Sequence, residues 1–455
     1  MIRARAQDLP RLPGLMDEYI QANRKHCQLP EIKAYGRITK VSGTTIEVEG
    51  VIAPVGAQCI LETQSSSAVL EAEVIGFSNR TLILMSYAGI DGLGPGTRVA
   101  VKSMQSLGQL GNKLIGRVID GFGNPLDLGP EIVYELSASL DGVPLNPMER
   151  GPINSILDTG IKAINTVLTI GRGQRIGLIA GSGIGKSVLL GMLTKNTAAD
   201  LVVIALIGER GREVQDFINN ILGREGMERS VVVATPANSS PVARIKAAKL
   251  SHLISEYFRD QGKHVLLLFD SLTRVAHAQR EVGLAMGEPP TSKGYPPSVF
   301  SMFPNLIERP GVGKNGVGSI TSFYTVLAEG DDSNDPIVDI SRASLDGQIM
   351  LSRSLADAAH YPAIDLTGSI SRVANMLLDE KKVGLAQKLR RLWTLYAEKE
   401  DFIQIGAYDA NSNPELDEAI ALHHKIVKFL QQRDLESYSM RESWQLLSNI
   451  LDTKP

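Results

Sequence analysis

The chain has 455 residues, of which 43% are hydrophobic and 21% are charged. This balance excludes an intrinsically disordered protein, and the length excludes a small disulfide-stapled fold and predicts several domains. Lysine and arginine total 47 against 50 acidic residues, so the formal net charge of -3 provides no overall basic field. We therefore expect no nucleic-acid partner.

Cysteine usage and the first residues of the chain indicate its compartment. Only Cys27 and Cys59 occur, without a C-x-x-C spacing, which disfavours a disulfide framework and a thiolate metal site. The first thirty residues contain no apolar signal region, and no apolar run of about 18 residues appears. We expect a cytoplasmic protein that is at most peripheral to a membrane.

Residues 1–30 alternate cations with apolar side chains, and prolines at positions 10 and 13 interrupt the early part. The pattern predicts a short amphipathic helix from about Gly14 to Asn23. Two interpretations stay open: a frayed terminus with a surface helix, or an N-terminal docking segment for a partner or for lipid headgroups.

Residues 31–104 carry short runs of alternating apolar and polar residues, separated by glycines, for example at 36–41, 45–50 and 70–76. Period-two patterning with turns every eight to twelve residues or so predicts a small antiparallel β-barrel or β-sandwich. The glycine-rich stretch 116–125 indicates that residues 105–149 form a connection out of this barrel.

Between residues 150 and 372 the pattern changes to apolar strands that alternate with helical stretches. Continuous apolar runs of this kind are typical of parallel strands buried on both faces; they occur at 176–180, 201–207, 230–234 and 265–269. A proline- and glycine-rich interval, Glu288 to Gly318, predicts a loop with a functional or subunit-contact role. From residue 373 to 455 helical periodicity dominates and predicts a C-terminal helical domain.

The strongest local signal follows the first of these runs. A helical stretch begins directly after a glycine-rich turn, in the sequence Ala180-Gly181-Ser182-Gly183-Ile184-Gly185-Lys186-Ser187-Val188. This order matches a phosphate-binding loop, in which backbone N–H groups cradle phosphates, lysine neutralises them and the hydroxyl binds Mg²⁺. The strict motif has glycine at the position of Ala180, but the inner glycines and the Lys-Ser pair remain.

Two carboxylates stand at the ends of other predicted strands. Asp270 closes the run 265–270, where a Walker B aspartate binds Mg²⁺ directly or through a water molecule. Glu209 lies just past the strand that ends at Ile207, from where a glutamate can activate the water that attacks the γ-phosphate. Together with the loop, they predict an α/β protein with a P-loop ATPase core and ATP and Mg²⁺ as its ligands.

Several longer stretches resemble the flagellar and type III secretion ATPases, which are related to the rotary ATP synthase catalytic subunits. The resemblance runs from about Gly36 to Gln432, and its most specific stretches are 206–214, 270–274, 287–290, 293–300 and 360–365. Within this family, residues 291–297 and 159–165 are more similar to the flagellar branch than to the injectisome branch. The resemblance implies a RecA-like core with a mostly parallel sheet, preceded by a small N-terminal β-barrel and followed by a C-terminal helical domain.

The resemblance also implies roles for individual residues. Lys186 and Ser187 would bind the phosphates and Mg²⁺, and Glu209 would activate water. Arg210 is similar to an arginine that contacts the γ-phosphate, and Tyr361 to an aromatic residue that packs against adenine. Arg372, in the stretch 369–373, resembles an arginine finger that acts in trans on the nucleotide of a neighbouring subunit.

A motor subunit of protein export is the function that this family implies. Its members form homo-oligomeric rings, which we expect here to be hexamers. The partners that the family implies are a central stalk protein, chaperone–substrate complexes, a membrane export gate at the inner membrane and a stator-like regulator that binds residues 1–30. Alternatives are an injectisome ATPase, an ATP synthase subunit, a ring helicase and a nucleotide-binding structural subunit without turnover. The few aromatic residues in 32–104 disfavour the helicase, and Glu209 and Asp270 disfavour the structural subunit.

Overall fold

The computed structural model describes residues 34–62, 69–181, 183–328, 335–409 and 411–452. The predicted docking segment at 1–30, with its amphipathic helix, and Ser182 lie outside these residues. Among the described residues, no helix combines the length and the apolar character needed to cross a bilayer.

The amino-terminal part is a closed antiparallel barrel of six strands, one of the two architectures that the alternating sequence predicts. Its strands are β1 (Tyr35–Ser42), β2 (Thr45–Glu49), β3 (Gln58–Glu62), β4 (Val69–Ser78), β5 (Thr81–Ser86) and β6 (Arg98–Ser103), in the order β1-β2-β5-β4-β3-β6. Alternate residues point into the barrel, for example Ile46 and Val48 of β2, which are fully buried. Their packing gives the barrel a core of its own.

The segment after the barrel carries three more strands. β7 (Leu107–Leu110) pairs with β9 (Leu136–Ser139), and a 3-10 turn spans Asn112–Leu114. β8 (Val118–Ile119) joins the central sheet as a parallel neighbour of β14 (Ser230–Thr235). The stretch predicted as a connection therefore contributes a strand to the sheet that follows it.

The central part contains a nine-stranded sheet in which the long strands are parallel. Its order is β19-β18-β12-β17-β15-β13-β14-β8, and β16 pairs with β17. The remaining bounds are β12 (Arg175–Ala180), β13 (Leu201–Ile207), β15 (His264–Asp270), β16 (Gly311–Val312), β17 (Ser319–Leu327), β18 (Gly347–Leu351) and β19 (Ile364–Ser371). β19 and β16 run antiparallel to their neighbours. A separate pair joins β10 (Ile156–Leu157) to β11 (Ile170–Gly171). The α/β fold predicted from the sequence is thus confirmed.

Helices cover both faces of this sheet, as its strands require. β13 is buried along its whole length, and its side chains alternate between two separate hydrophobic clusters. The helices of this part are α1 (Lys162–Thr166), α2 (Lys186–Asn196), α3 (Gly211–Asp216), α4 (Gly223–Met227), α5 (Pro241–Asp260), α6 (Leu272–Ala285), α7 (Pro297–Ile307), α8 (Pro336–Ser344) and α9 (Arg353–Asp357), with a π-helical stretch at Phe217–Leu222.

Helix α7 lies within the interval 288–318 that the sequence analysis predicts as a loop. Pro297 stands in its first turn, where a missing N–H costs no hydrogen bond and the fixed φ suits a helix. Proline at this position therefore starts a helix rather than excluding one, so the predicted loop was wrong over residues 297–307, and its functional or subunit-contact role stays a prediction.

The C-terminal part is helical, as predicted. It contains α10 (Ala374–Leu377), α11 (Glu380–Gln404), α12 (Pro414–Leu430) and α13 (Met440–Leu451). The hydroxyl of Ser439 accepts a hydrogen bond from the Glu442 N–H, and the Glu442 carboxylate accepts one from the Ser439 N–H. Helix α13 therefore begins with a capping box. Leu389, Phe429 and Trp444 share one hydrophobic cluster with one face of the central sheet, so these helices pack directly on the central part.

Candidate nucleotide-binding site

The glycine-rich loop lies between strand β12 and helix α2. β12 ends at Ala180, which is buried, and α2 begins at Lys186. Gly183 and Gly185 have φ angles of 79° and 88°, a left-handed conformation that glycine adopts without a Cβ clash. The loop thus turns the chain from strand to helix and leaves backbone N–H groups at a helix N-terminus, which is a favourable place for phosphate.

Three charged side chains meet at the carboxyl edge of the sheet. Lys186 Nζ lies 2.6 Å from Asp270 Oδ1 and 3.5 Å from Glu209 Oε1. Because β12, β13 and β15 are parallel, the residues at their carboxyl ends share one edge, which places the lysine between the two carboxylates. The structure therefore brings together the three residues that the sequence analysis singled out for chemistry.

The charges of this cluster perturb one another. Burial raises the pKa of Glu209 from 4.5 to about 7, with the nearby Asp270 carboxylate as the second contribution and Lys186 opposing it. Burial lowers the pKa of the Lys186 ammonium, but the Coulomb attraction of Asp270 and Glu209 outweighs it and holds that pKa above its ordinary value. A carboxyl group that titrates near neutral pH in a buried cluster is typical of a general base.

Thr325 is a member of this site that the sequence analysis did not single out. Its Oγ1 donates a hydrogen bond to Asp270 Oδ1 at 2.6 Å, and the residue is fully buried. It lies on β17, which pairs with both β12 and β15 in the centre of the sheet. The sequence does offer one signal for this residue, because the hydroxyl of a threonine inside a buried β-rich run needs a hydrogen-bond partner.

The remaining loop residues divide into a buried set and an exposed set. Gly181 and Ile184 are buried, whereas Ser187 and Val188 at the start of α2 are exposed. The Ser187 hydroxyl and the Asp270 carboxylate are oxygen donors of the kind that Mg²⁺ prefers. The Asp270 carboxylate lies 2.6 Å from the Lys186 ammonium, at the same edge of the sheet as the start of α2.

No cluster of three or more His, Cys, Asp or Glu side chains within the described ranges could hold a metal ion alone. A Mg²⁺ ion at Ser187 and Asp270 would therefore take its other ligands from phosphate oxygens and water, which is the usual mode of Mg²⁺ at nucleotide sites. The residues present fit this mode.

Tyr361 lies beside the glycine-rich loop although 175 residues separate it from Lys186. A Cβ placed on Gly185 would stand 3.3 Å from two ring carbons of Tyr361, so the ring covers that glycine. The residue remains 45% exposed, and its hydroxyl donates to Ala356 O at 3.3 Å. An exposed aromatic face next to a phosphate-binding loop can stack on a base.

The two other predicted arginines do not reach the cluster within this chain. The Arg210 side chain is 84% exposed, and its Nη1 lies 3.5 Å from Glu213 Oε1. Arg372 is exposed and donates to Arg342 O at 3.0 Å. Arg372 follows strand β19, which runs antiparallel to β18, and its N–H donates to Asp346 O at 3.0 Å. Asp346 pairs with Arg175 at the start of β12, so Arg372 lies at the edge of the sheet opposite the loop.

Three family models match successive parts of the chain. The beta-barrel domain of the ATP synthase alpha/beta family matches residues 38–100, and the nucleotide-binding domain of that family matches residues 160–371. The model named T3SS EscN ATPase C-terminal domain matches residues 378–449.

Curated relatives and solved structures agree with these models. The flagellum-specific ATP synthase of Salmonella typhimurium is 50% identical over 438 residues, which is 94% of this chain and 96% of the relative. A type 3 secretion system ATPase of Xanthomonas euvesicatoria is 42% identical over 92% of this chain and 95% of its own length.

The assembled ATPase EscN of the enteropathogenic E. coli type III secretion system superposes with a TM-score of 0.87 at 40% identity, covering 91% of this chain and all of EscN. EscN in complex with its central stalk EscO gives a TM-score of 0.84 at 39% identity, with the same coverage. The chain therefore belongs to the ATP synthase alpha/beta family, together with the flagellum-specific ATP synthases and the type III secretion ATPases.

Proposed function

We propose that this chain hydrolyses ATP as the motor ATPase of a type III protein export apparatus, in the flagellar branch. The observation that carries the proposal is the contact of Lys186 with both Asp270 and Glu209 beside the glycine-rich loop. The flagellar assignment is supported by 50% identity to a flagellum-specific relative, against 42% to an injectisome-type relative.

Each member of the cluster has a distinct task in this reaction. The loop N–H groups and Lys186 bind the β- and γ-phosphates, and Thr325 holds the Asp270 carboxylate in place through its 2.6 Å hydrogen bond. Ser187 and Asp270 would hold Mg²⁺, which when bound neutralises charge on the phosphates. Glu209, ionised above pH 7, orients the attacking water and takes its proton.

Tyr361 supplies the face on which the base stacks, because its half-exposed ring lies directly against the loop at Gly185. Arg210 stands beside Glu209 in sequence but points outward, so a contact with the γ-phosphate requires its side chain to leave Glu213. The long, exposed side chain permits that rotation at little cost, because an exposed ion pair contributes little.

Arg372 acts in trans in this proposal. Arg372 lies at the edge of the sheet opposite the loop of its own chain, so it serves a neighbouring copy in a ring. The assembled form of EscN supports a homohexameric ring. A cation supplied by a neighbour makes hydrolysis depend on assembly, which ties turnover to the working complex.

The partners follow from the same family. The complex of EscN with EscO supports a central stalk partner for this chain. Chaperone–substrate complexes, a membrane export gate and a stator-like regulator at residues 1–30 complete the proposed apparatus at the cytoplasmic face of the inner membrane. No nucleic-acid partner is proposed, in keeping with the net charge of -3.

Steady-state ATP hydrolysis against protein concentration tests this function. Specific activity should rise with concentration as rings form. Lys186→Ala and Glu209→Gln should each lower kcat by at least about 100-fold, and Arg372→Ala by about 1000-fold. Arg224→Ala removes another exposed arginine, which pairs with Glu228, and should leave the rate unchanged.

Mixing two inactive variants tests the trans contact directly. In a ring assembled from equal amounts of Lys186→Ala and Arg372→Ala chains, about one quarter of the contacts join an intact loop to an intact arginine, so about one quarter of the wild-type activity should return. A mixture as inactive as its components would refute the trans assignment. Absence of turnover in the wild type under any condition would favour a structural nucleotide-binding subunit.

A further inference from the structure

Gln432 joins the C-terminal helices to the nucleotide-binding site. It follows helix α12 and is 4% exposed. Its side-chain Oε1 accepts from the Lys162 N–H at 3.0 Å, while Nε2 donates to Gly160 O at 2.8 Å and to Glu436 O at 2.9 Å. Three hydrogen bonds therefore fix this buried side chain between α1 and the turn that leads to α13.

The backbone of the same residue reaches the nucleotide site. The Gln432 N–H donates to Tyr361 O at 2.9 Å, and the ring of Tyr361 covers Gly185 in the phosphate-binding loop. A continuous path of contacts thus runs from α12 through Gln432 and Tyr361 to the loop.

A buried lysine fastens the neighbouring residues of this turn. Lys162 Nζ donates to Gln431 O at 2.8 Å and lies 4.6 Å from the ring centroid of Tyr438, and the residue is 5% exposed. Together with the Gln432 bonds, this anchor leaves the backbone at 432 little freedom. Any change in the position of α12 must therefore move the Tyr361 carbonyl or break several buried hydrogen bonds.

We propose that Gln432 is a positioning residue for nucleotide binding. Its side chain holds the turn after α12 so that the backbone N–H keeps the Tyr361 ring against the phosphate-binding loop. The inference rests on the proposed function, in which Tyr361 stacks on the base of ATP. It assigns Gln432 a role in substrate affinity and none in bond cleavage, because the residue acts only through Tyr361.

A double-mutant cycle on ATP hydrolysis tests this role. Gln432→Ala should raise KM for ATP about fivefold, the scale of one ordinary hydrogen bond, and leave kcat within about twofold. In a Tyr361→Ala background, the same substitution should change KM no further, because the group through which it acts is already gone. An equal rise in KM in both backgrounds, or no rise in the wild-type background, would overturn the inference.

Gln431→Ala is the matched control. Gln431 contributes its carbonyl oxygen to Lys162, and alanine supplies the same oxygen, so KM should stay at the wild-type value. A rise in KM for this control equal to that of Gln432→Ala would overturn the inference, since it would indicate general loosening of the turn.

A second variant keeps the test decisive if Gln432→Ala does not fold. Gln432→Glu retains the acceptor for the Lys162 N–H and loses the two donors, so it should raise KM in the same direction and lose its effect in the Tyr361→Ala background. Circular dichroism and thermal denaturation identify which variant is folded. Absence of Lys186-dependent turnover in the wild type would defeat the proposed function, whereas an unchanged KM in an active, folded Gln432 variant defeats only this inference.

Discussion

The pKa of Glu209 sets how ATP hydrolysis should depend on pH. Burial, with Asp270 as the second contribution, raises this pKa from 4.5 to about 7. A general base must be ionised to accept a proton. The value of kcat/KM, whose pH dependence reflects pKa values in the free enzyme, should therefore increase as the pH rises through the pKa of Glu209. At pH 6 only about one tenth of the chains have Glu209 ionised, so kcat/KM should be about tenfold below its plateau above pH 8.

Replacing Glu213 should move this dependence without changing the phosphate-binding loop. The hydrogen bond and the negative charge of Glu213 both raise the pKa of Glu209, and the Glu213 side chain itself is 52% exposed. Glu213→Gln removes this charge, so the rising part of the kcat/KM profile should shift to lower pH. The variant should then retain a larger fraction of its activity at pH 6. Glu228→Gln neutralises a more exposed glutamate and should leave the midpoint in place.

Initial rates between about pH 5.5 and about pH 9 at saturating Mg²⁺ measure both effects. The wild type and the two variants use the same substrate, so titration of the ATP phosphates cancels when their pH profiles are compared. A wild-type midpoint below about pH 5, in the range of an ordinary glutamate, would refute the assignment of Glu209 as the base. A midpoint that Glu213→Gln leaves unmoved would refute the electrostatic reasoning.

Two further pairs of substitutions test the packing around the site. Thr325→Val should lower the free energy of unfolding by about 1.5 to 3 kcal/mol in urea denaturation, because it removes a buried hydrogen bond to the Asp270 carboxylate. Thr325→Ser keeps the hydroxyl and should keep most of the stability. Equal losses in both variants would contradict this account. Gly185→Ala should raise KM for ATP more than Gly183→Ala does. Both glycines have positive φ, but of the two only a Cβ at position 185 would meet the Tyr361 ring. Equal rises in KM would contradict a contact with Tyr361 and leave backbone strain as the cause.

The sequence predicted those elements whose patterns are local. Strands β12, β13, β14 and β15 appear as continuous apolar runs, because strands buried on both faces have no polar side to interrupt them. Strand β17 was not among these runs, since Ser322 and Thr325 place hydroxyls in it, yet it lies at the centre of the sheet. Strand order depends on pairings between distant segments, which no local pattern reveals.

The same distinction holds for the site. Lys186, Glu209 and Asp270 could be named because each occupies a recognisable position at the end of a strand or the start of a helix. Thr325 could not, because its contact with Asp270 depends on how β17 and β15 align across the sheet. The contacts of Gln432 could likewise not be predicted, since its hydrogen bond to Gly160 joins residues 272 positions apart.

Strand β8 has a consequence for how such a chain can be divided or recombined. Val118 and Ile119 pair with Val232 and Val233 of β14, and Ile119 is fully buried. A protein cut just before residue 160, where the nucleotide-binding family model begins, would lose this strand and expose the unpaired edge of β14 to other chains. The unit that evolution or an engineer can exchange intact is therefore the central part together with residues 107–139, so a graft that includes this stretch should remain monodisperse where a shorter one aggregates.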